Sequence, residues 1–130
     1  MNFIYQVPLC AVSIAVAKGS QLVAGVIYDP FRDELFWARR NGGAWLNEQK
    51  ISLKDKKSME LKDAVIAYGC SSVPERRVRG FEYAKRISAN CMSMRLLGSA
   101  AMHLAYTAAG RFDGYYEAGL KPWDAAAGYA

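Results

Sequence analysis

The sequence predicts an α+β fold in which an antiparallel β-meander precedes a βαβαβα block. In the first part of the chain, apolar runs alternate with turn sequences such as "DPFRD" and "NGG", which predicts strands that pair antiparallel. In the second part, short apolar runs alternate with segments of helical periodicity, which predicts strands joined by helices. A length of 130 residues, with 52% hydrophobic and 22% charged residues, fits one packed domain.

The meander is predicted within residues 1–51, and its strands share apolar, β-prone composition bounded by turn residues. They are expected at residues 9–17, 22–28, 34–40 and 44–47. The first run is apolar, but no Lys or Arg precedes Lys18, so the positive start of a signal peptide is absent. It is also too short and too polar to span a membrane. We therefore expect a buried strand there and no membrane partner.

Residues 52–63 are polar and lysine-rich, which predicts a surface connection to the block at residues 64–130. In that block, strands are expected at 64–69, 93–98 and 111–118, and helices at 78–90, at 99–109 and from Pro122 onward. Ser99 is placed to cap the second helix, and Pro122 occupies the permitted start of the third. The densest basic cluster, "PERRVRG", is expected to start an exposed helix rather than to bind nucleic acid.

Charge and cysteine content bound the partners and the compartment. Seventeen Lys and Arg against twelve Asp and Glu give a net charge of +5, which suits anionic partners, although the basic residues form no dense run. Three cysteines with no metal-binding spacing indicate neither a disulfide framework nor a zinc site. Reduced thiols in the cytoplasm are the simpler account.

Two features of the second block suggest chemistry. Gly98, Ser99 and Ala100 join a strand to a helix N-terminus, where free backbone N–H groups attract anions such as phosphate, although a well-capped helix is the simpler explanation. Asp124 lies in a first helical turn, where a carboxylate can merely cap backbone N–H groups. With Glu117 on the preceding loop, however, two acids could face one cleft and bind a hard cation such as Mg²⁺.

The motifs around these residues extend over the whole chain. "GLKPWDAAAG" resembles the C-terminal signature of the inositol monophosphatase family, and "LLGSAAMHLAYTAAGRFDGYYEAGL" resembles the segment before it. Upstream, "VSIAVAKGSQLVAGVIYDPFRDELFWARRNGGAWLN" resembles the core hairpins of the family. The resemblance implies that residues 1–130 are part of the layered α/β sandwich of the inositol monophosphatase and sugar phosphatase fold.

The resemblance also implies roles for individual residues. Asp124 would bind Mg²⁺, and Glu117 would accept a hydrogen bond from a substrate hydroxyl. Backbone groups of Gly98, Ser99 and Ala100 would line the pocket for the alcohol portion of the substrate. The family hydrolyses phosphate monoesters with metal-activated water and needs no covalent intermediate, so no residue of this chain is expected to be a catalytic acid, base or nucleophile.

Two further residues, His103 and Lys121, are candidates for the same site. His103 lies mid-helix among small and apolar residues, where a packed side chain is expected rather than a catalytic base. Lys121 is expected either to favour an anionic substrate beside the metal turn or simply to lie exposed at the surface.

The sequence departs from the family at both ends. The family also uses an upstream Glu-Glu pair and an Asp-Pro-Ile/Leu-Asp-Gly-Thr-Thr-Asn-Phe motif, of which only Asn2 and Phe3 are matched here. It also continues beyond the final helix. We therefore expect a fragment that is truncated at both ends and inactive alone, derived from a homodimeric parent that hydrolyses a small phosphorylated polyol.

Several alternatives stay open from the sequence. The substrate could be an inositol phosphate, fructose bisphosphate, histidinol phosphate or a phosphoadenosine nucleotide, with the "GLKPWD" sequence favouring inositol phosphates. The chain could instead be a non-catalytic binding protein whose partner is RNA or the transcription machinery, or a remnant that aggregates through exposed strand edges.

Overall fold

The computed structural model describes residues 1–54, 56 and 59–130, and it forms two sheets. The antiparallel sheet contains, in spatial order, β1 (Val12–Lys18), β2 (Gln21–Asp29), β3 (Glu34–Arg39), β4 (Gly43–Leu46) and β5 (Gln49–Lys50). The parallel sheet contains β6 (Val65–Tyr68), β7 (Ser93–Arg95) and β8 (Gly114–Tyr116), with β6 in the middle. The helices are α1 (Pro74–Ser88), α2 (Ala100–Ala108) and α3 (Pro122–Ala125). The predicted α+β class and the βαβαβα order are confirmed.

Strand β1 differs from the expectation of a buried strand at residues 9–17. It begins at Val12, after a series of turns that includes a hydrogen bond from the Leu9 N–H to the carbonyl oxygen of Val7. Its alternate residues Val12, Ile14 and Val16 are 51%, 58% and 55% exposed. The prediction of burial was wrong because β1 is an edge strand, and these side chains lie on the sheet face that the described residues leave uncovered.

Other element boundaries shift for local reasons. Helix α1 begins at Pro74 rather than at residue 78, because a proline fits the first helical position and charged side chains can occupy the exposed face. The basic cluster at residues 74–80 therefore starts an exposed helix, as predicted. Strand β5 was missed because it has only two residues, too few for a periodic pattern. Residues 55, 57 and 58 of the predicted connection lie outside the described residues.

Helix α2 carries most of the core. Its buried residues Met102, Ala105 and Tyr106 pack with Ile27 and Phe36 from one face of the antiparallel sheet. Ser99 caps the helix as predicted, because its Oγ accepts a hydrogen bond from the Met102 N–H at 3.5 Å. The orientation of α2 relative to the sheet is thus determined by apolar burial, the largest favourable contribution to folding.

Arg111 connects the antiparallel sheet to α2 from the loop before β8. Its Nη1 donates to Oε2 of Glu34 on β3 at 2.6 Å. The guanidinium group also lies 5.5 Å from the ring centroid of Phe36 and 4.7 Å from that of Tyr106. An arginine between two aromatic rings and a carboxylate combines cation–π attraction with a charge-assisted hydrogen bond.

No helix in the part of the chain that the structure describes combines the length and apolar character needed to cross a membrane.

We expect Arg111→Ala to lower the free energy of unfolding by about 2 kcal/mol, because both ring contacts and the bond to Glu34 are lost together. Urea unfolding followed by circular dichroism would measure the change. Lys62→Ala is the matched control, since Lys62 pairs with Glu60 where both side chains are mostly exposed. That control should change stability by less than about 0.5 kcal/mol. Equal effects of the two substitutions would contradict the role given to Arg111.

Candidate functional site

A cleft of about 650 Å³ lies at the carboxyl ends of the three parallel strands, and we call it the strand-end cleft. Its walls come from the segments that follow each strand: residues 69–73 after β6, 96–100 after β7 and 117–121 after β8. Because β7 and β8 flank β6 on opposite sides, the chain reverses its direction of winding there. Crevices at such reversals are the usual binding sites of open α/β sheets.

All five site residues expected from the sequence line this cleft. They are Gly98, Ser99, Ala100, Glu117 and Asp124. Glu117 lies on the loop after β8 and Asp124 lies in α3, and both acids line the same cleft, as expected from the sequence. The role given to each of these residues stays a prediction, because lining the same cleft does not show which ligand a residue binds.

The turn at Gly98 forms one wall. Gly98 has φ +78°, a conformation that favours glycine, and Ser99 next to it caps α2. Asn2 supports this turn from the other end of the chain, since its Nδ2 donates to the carbonyl oxygen of Leu97 at 2.8 Å. The wall is therefore made of small residues and backbone groups, which leaves room for a ligand.

Glu117 is held by two neighbours. The Tyr115 hydroxyl donates a short hydrogen bond to Oε2 of Glu117. On the other side, the carboxyl group lies against Gly69, where a Cβ atom would be 1.7 Å from Oε2 and 2.1 Å from Cδ. Gly69 also donates its N–H to the carbonyl oxygen of Tyr116 at 2.9 Å. The carboxylate occupies space that exists only because residue 69 has no side chain.

Burial and this acidic neighbour also affect Tyr115. Loss of solvent around the phenol raises its pKa, and the hydrogen bond to Glu117 raises it further. The hydroxyl therefore remains a hydrogen-bond donor at neutral pH, and Glu117 remains the acceptor.

Asp124 makes a capping interaction in α3. Its Oδ2 accepts a hydrogen bond from the Lys121 N–H at 2.9 Å. The local capping function considered from the sequence is therefore present, while the partly exposed carboxyl group still lines the cleft. Lys121 is exposed, as one of the two alternatives expected, and it also lines the cleft, while a role toward an anionic substrate stays a prediction.

His103, the only histidine of the chain, contributes to the cleft wall although none of its surface reaches solvent. Its Nε2 accepts a hydrogen bond from the Leu97 N–H at 2.9 Å, and its ring lies 4.8 Å from that of Tyr115. Burial lowers its pKa from 6.5 to about 4, so the imidazole is neutral at pH 7. Nδ1 has no hydrogen-bond partner among the described residues. The expectation of a packed side chain agrees with this environment.

The carboxylates of the cleft do not by themselves form a magnesium site. Within residues 1–54, 56 and 59–130, no group of three or more His, Cys, Asp or Glu side chains is placed to hold a metal ion. Asp124 uses one oxygen for its backbone bond, and Glu117 is hydrogen-bonded by Tyr115. Mg²⁺ gives up its water reluctantly and needs several oxygen ligands, so these residues supply too few.

The residues of the cleft and its support that sequence reasoning missed include Gly69, Arg76 and Tyr115. The small residues after β6, in "GCSS", were the available signal, because small residues that follow a parallel strand often leave space for a ligand. The hydroxyl of Tyr115 gave no such signal, since an aromatic residue in a strand is ordinary.

A second cavity, of about 400 Å³, lies away from these residues. It is lined by core side chains such as Ile27 and Phe36 and by the stacked rings of Trp37 and Trp45, 5.4 Å apart. None of the five expected site residues borders it, and its lining contains no acid. Its lining does include Arg39, Arg40 and Asn41, which can donate hydrogen bonds to an anion, but it has no carboxylate to accept a polyol hydroxyl.

Comparison with known proteins gives one consistent result. The family model described as "Inositol monophosphatase family" matches residues 1–130. The inositol-1-monophosphatase of Mesorhizobium japonicum is 44% identical over 128 residues, which cover 98% of this chain and 47% of that protein. The Nus factor SuhB of Pasteurella multocida is 39% identical over 129 residues, again 98% of this chain and 47% of the relative.

Solved structures agree. The extragenic suppressor protein suhB of Bartonella henselae has a TM-score of 0.89 and 41% sequence identity, covering 98% of this chain and 48% of that one. The inositol monophosphatase of Anabaena has a TM-score of 0.88 and 36% identity, covering 98% and 50%. The chain spans about half the length of the relatives that it matches.

We expect Gly69→Ala to destabilise the protein by about 1 kcal/mol, because the new methyl group displaces Glu117 from Tyr115. In a Glu117→Ala background the same substitution should be neutral or stabilising, since alanine restricts the unfolded chain more than glycine does. Gly80→Ala is the control, because nothing lies within 4 Å of its Cβ position in α1. The control should stabilise by up to about 1 kcal/mol. If Gly69→Ala lowered the free energy of unfolding equally in both backgrounds, the contact between Gly69 and Glu117 would be refuted.

His103 predicts a pH dependence of stability. Its pKa in the folded state, about 4, lies below the unfolded value of 6.5. The unfolded chain therefore binds the proton first, and stability falls as the pH drops through this window. From about pH 7 to about pH 5, the wild type should lose about 2 kcal/mol more than His103→Asn. Urea unfolding at both pH values measures the difference, and parallel losses would contradict it.

Proposed function

The chain belongs to the inositol monophosphatase family, and we propose that its strand-end cleft binds the alcohol portion of a small phosphate monoester. Family membership supports a phosphatase, while the substrate and the contribution of this chain are the proposal. One observation carries it: a single cleft of about 650 Å³ collects Gly98, Ser99 and Ala100 from the turn after β7 with Glu117 and Asp124 from the segment after β8. The preferred substrate is an inositol monophosphate or a related phosphorylated polyol.

Glu117 is the residue that would recognise the alcohol. Tyr115 donates to Oε2 of Glu117, so the carboxylate keeps further acceptor positions for a substrate hydroxyl. A carboxylate whose orientation is already restrained loses less entropy when it binds, which increases affinity. The small residues at 98–100 would provide the opposite wall and a surface against which the polyol ring can pack.

Magnesium enters this proposal through Asp124 alone. In the relatives of full length, the ion would activate water and stabilise the leaving alkoxide. Since the described residues offer too few ligands for Mg²⁺, this chain is proposed to supply the alcohol pocket and one carboxylate, not a complete catalytic centre. Hydrolysis by the chain alone is therefore not expected.

A second candidate function is binding to RNA or to a partner in transcription. Relatives from Pasteurella multocida and Xylella fastidiosa, 39% and 42% identical, carry the name Nus factor SuhB. In this chain, α1 presents a basic exposed surface made of Arg76, Arg77, Arg79, Lys85 and Arg86. Phosphate contacts from such a surface would weaken steeply with salt, which filter binding with RNA at two salt concentrations would detect.

Compartment and assembly complete the proposal. All three cysteines, Cys10, Cys70 and Cys91, are unpaired, which supports the cytoplasm as the compartment. A homodimer of the intact parent protein is proposed from the family resemblance.

To test the primary function, the isotope-labelled chain would be titrated with myo-inositol 1-phosphate and followed by NMR. Shifts should concentrate at Gly98, Ser99 and Glu117, and Glu117→Gln should weaken binding about tenfold, because the acceptor loses its charge. Glu82→Gln is the matched control, since Glu82 is exposed on α1 outside the cleft.

Two results would oppose the proposal. Absence of any shift at the cleft would reject the alcohol pocket. Phosphate release from myo-inositol 1-phosphate with Mg²⁺, well above background and abolished by Asp124→Asn, would reject the claim that this chain lacks a complete catalytic centre.

A further inference from the structure

Two cationic side chains face the strand-end cleft from different elements. Arg76 belongs to the first turn of α1, and Lys121 immediately precedes α3. Both line the cleft that contains Glu117 and Asp124. The proposed polyol site assigns no task to either cation.

Arg76 extends from α1 across to the loop after β8. A Cβ atom on Gly119 would lie 2.7 Å from Nη1 of Arg76 and 3.0 Å from its Cδ, so the arginine lies directly over the glycine. Gly119 is separated from Glu117 by a single residue. The guanidinium group is therefore on the side of the cleft where the alcohol portion of the substrate is proposed to bind.

The base of Arg76 is held firmly. The adjacent Arg77 donates from Nε to the carbonyl oxygen of Ser71 at 3.1 Å and from Nη2 to that of Ser72 at 2.8 Å. These bonds fix the loop between β6 and α1. The two consecutive arginines therefore make different contacts. Arg77 donates hydrogen bonds to the backbone of the β6–α1 loop, whereas Arg76 lines the cleft.

Neither cation forms an ion pair with another residue that the structure describes. The ion pairs among the described residues join Arg32 to Asp29, Lys56 to Asp113, Lys62 to Glu60 and Arg111 to Glu34. Neither Arg76 nor Lys121 takes part in one. The cleft acids have other hydrogen-bond partners, since Glu117 accepts from Tyr115 and Asp124 from a backbone N–H.

We propose that Arg76, assisted by Lys121, binds a second anionic group of the substrate, in addition to the phosphate of the scissile ester. The inference rests on the proposed polyol site: among the phosphorylated polyols that this site would accept, it would favour those that carry a second phosphate or a carboxylate. The planar guanidinium group suits both, because its paired N–H groups match the two oxygens of such an anion.

The test compares two ligands with the same alcohol, myo-inositol 1-phosphate and myo-inositol 1,4-bisphosphate, by NMR titration of the full chain at low ionic strength. The wild type should bind the bisphosphate about tenfold more tightly, the gain of one charge-assisted hydrogen bond. Arg76→Ala should remove that preference while leaving affinity for the monophosphate within about twofold. Arg76→Lys should keep part of it, because the charge remains without the planar pair of donors.

Arg79→Ala is the matched control, since it removes the same charge from an exposed position on α1 outside the cleft. It should leave the preference intact. A titration with inorganic phosphate tests whether Arg76 belongs to a substrate site or binds any phosphate ion. The inference would be overturned if phosphate alone shifted the Arg76 signals as strongly as the bisphosphate does.

The remaining outcomes also decide the question. Equal affinity of the wild type for the two ligands, or equal effects of Arg76→Ala on both, would overturn the role of Arg76 and leave the polyol site standing. Binding of neither ligand would overturn the polyol site and the inference together.

Discussion

Burial of helix α2 is the constraint on which the candidate site depends. Met102, Ala105 and Tyr106 pack with Ile27 and Phe36 of the antiparallel sheet, so the helix cannot rotate without exposing apolar surface. The N-terminus of the same helix presents Ser99 to the strand-end cleft. Apolar packing far from the cleft therefore determines the position of one of its walls.

The wall of the cleft is held in place by hydrogen bonds and by a glycine that leaves space for a neighbouring side chain. Gly69 has room for the carboxyl group of Glu117, Tyr115 orients it, and His103 accepts the N–H of Leu97 just before the turn at Gly98. Binding sites gain affinity when their polar groups are oriented before the ligand arrives. In this chain two of the orienting residues, Gly69 and His103, are buried in the wall of the cleft, and Tyr115 is half-buried.

The function that we propose for this chain separates recognition of the substrate from metal chemistry. Its cleft offers small residues, an oriented carboxylate and two cations, which suits a phosphorylated polyol. The described residues do not provide enough ligands for magnesium, and the chain spans about half the length of its relatives. Relatives that carry the names inositol-1-monophosphatase and Nus factor SuhB match this region at 37–44% identity. The two groups of relatives are therefore not distinguished by the architecture of the region that they share with this chain.

The sequence by itself determined the fold class and five of the residues that line the cleft. Alternating apolar runs and turn residues predicted the meander, and the motifs around Ser99, Glu117 and Asp124 predicted residues that do line one cleft. These features are local, because turn conformation, helix capping and strand periodicity are set by neighbours in sequence.

Only the tertiary structure decided which surfaces are buried and which charges remain unmatched. Strand β1 is as apolar as a core strand, yet its edge position leaves Ile14 exposed. Gly69 and Glu117, or Arg76 and Gly119, are distant in sequence and meet because the strands are parallel and the loops that follow them converge at one edge. Contacts of this kind depend on strand order, and no short stretch of sequence encodes strand order.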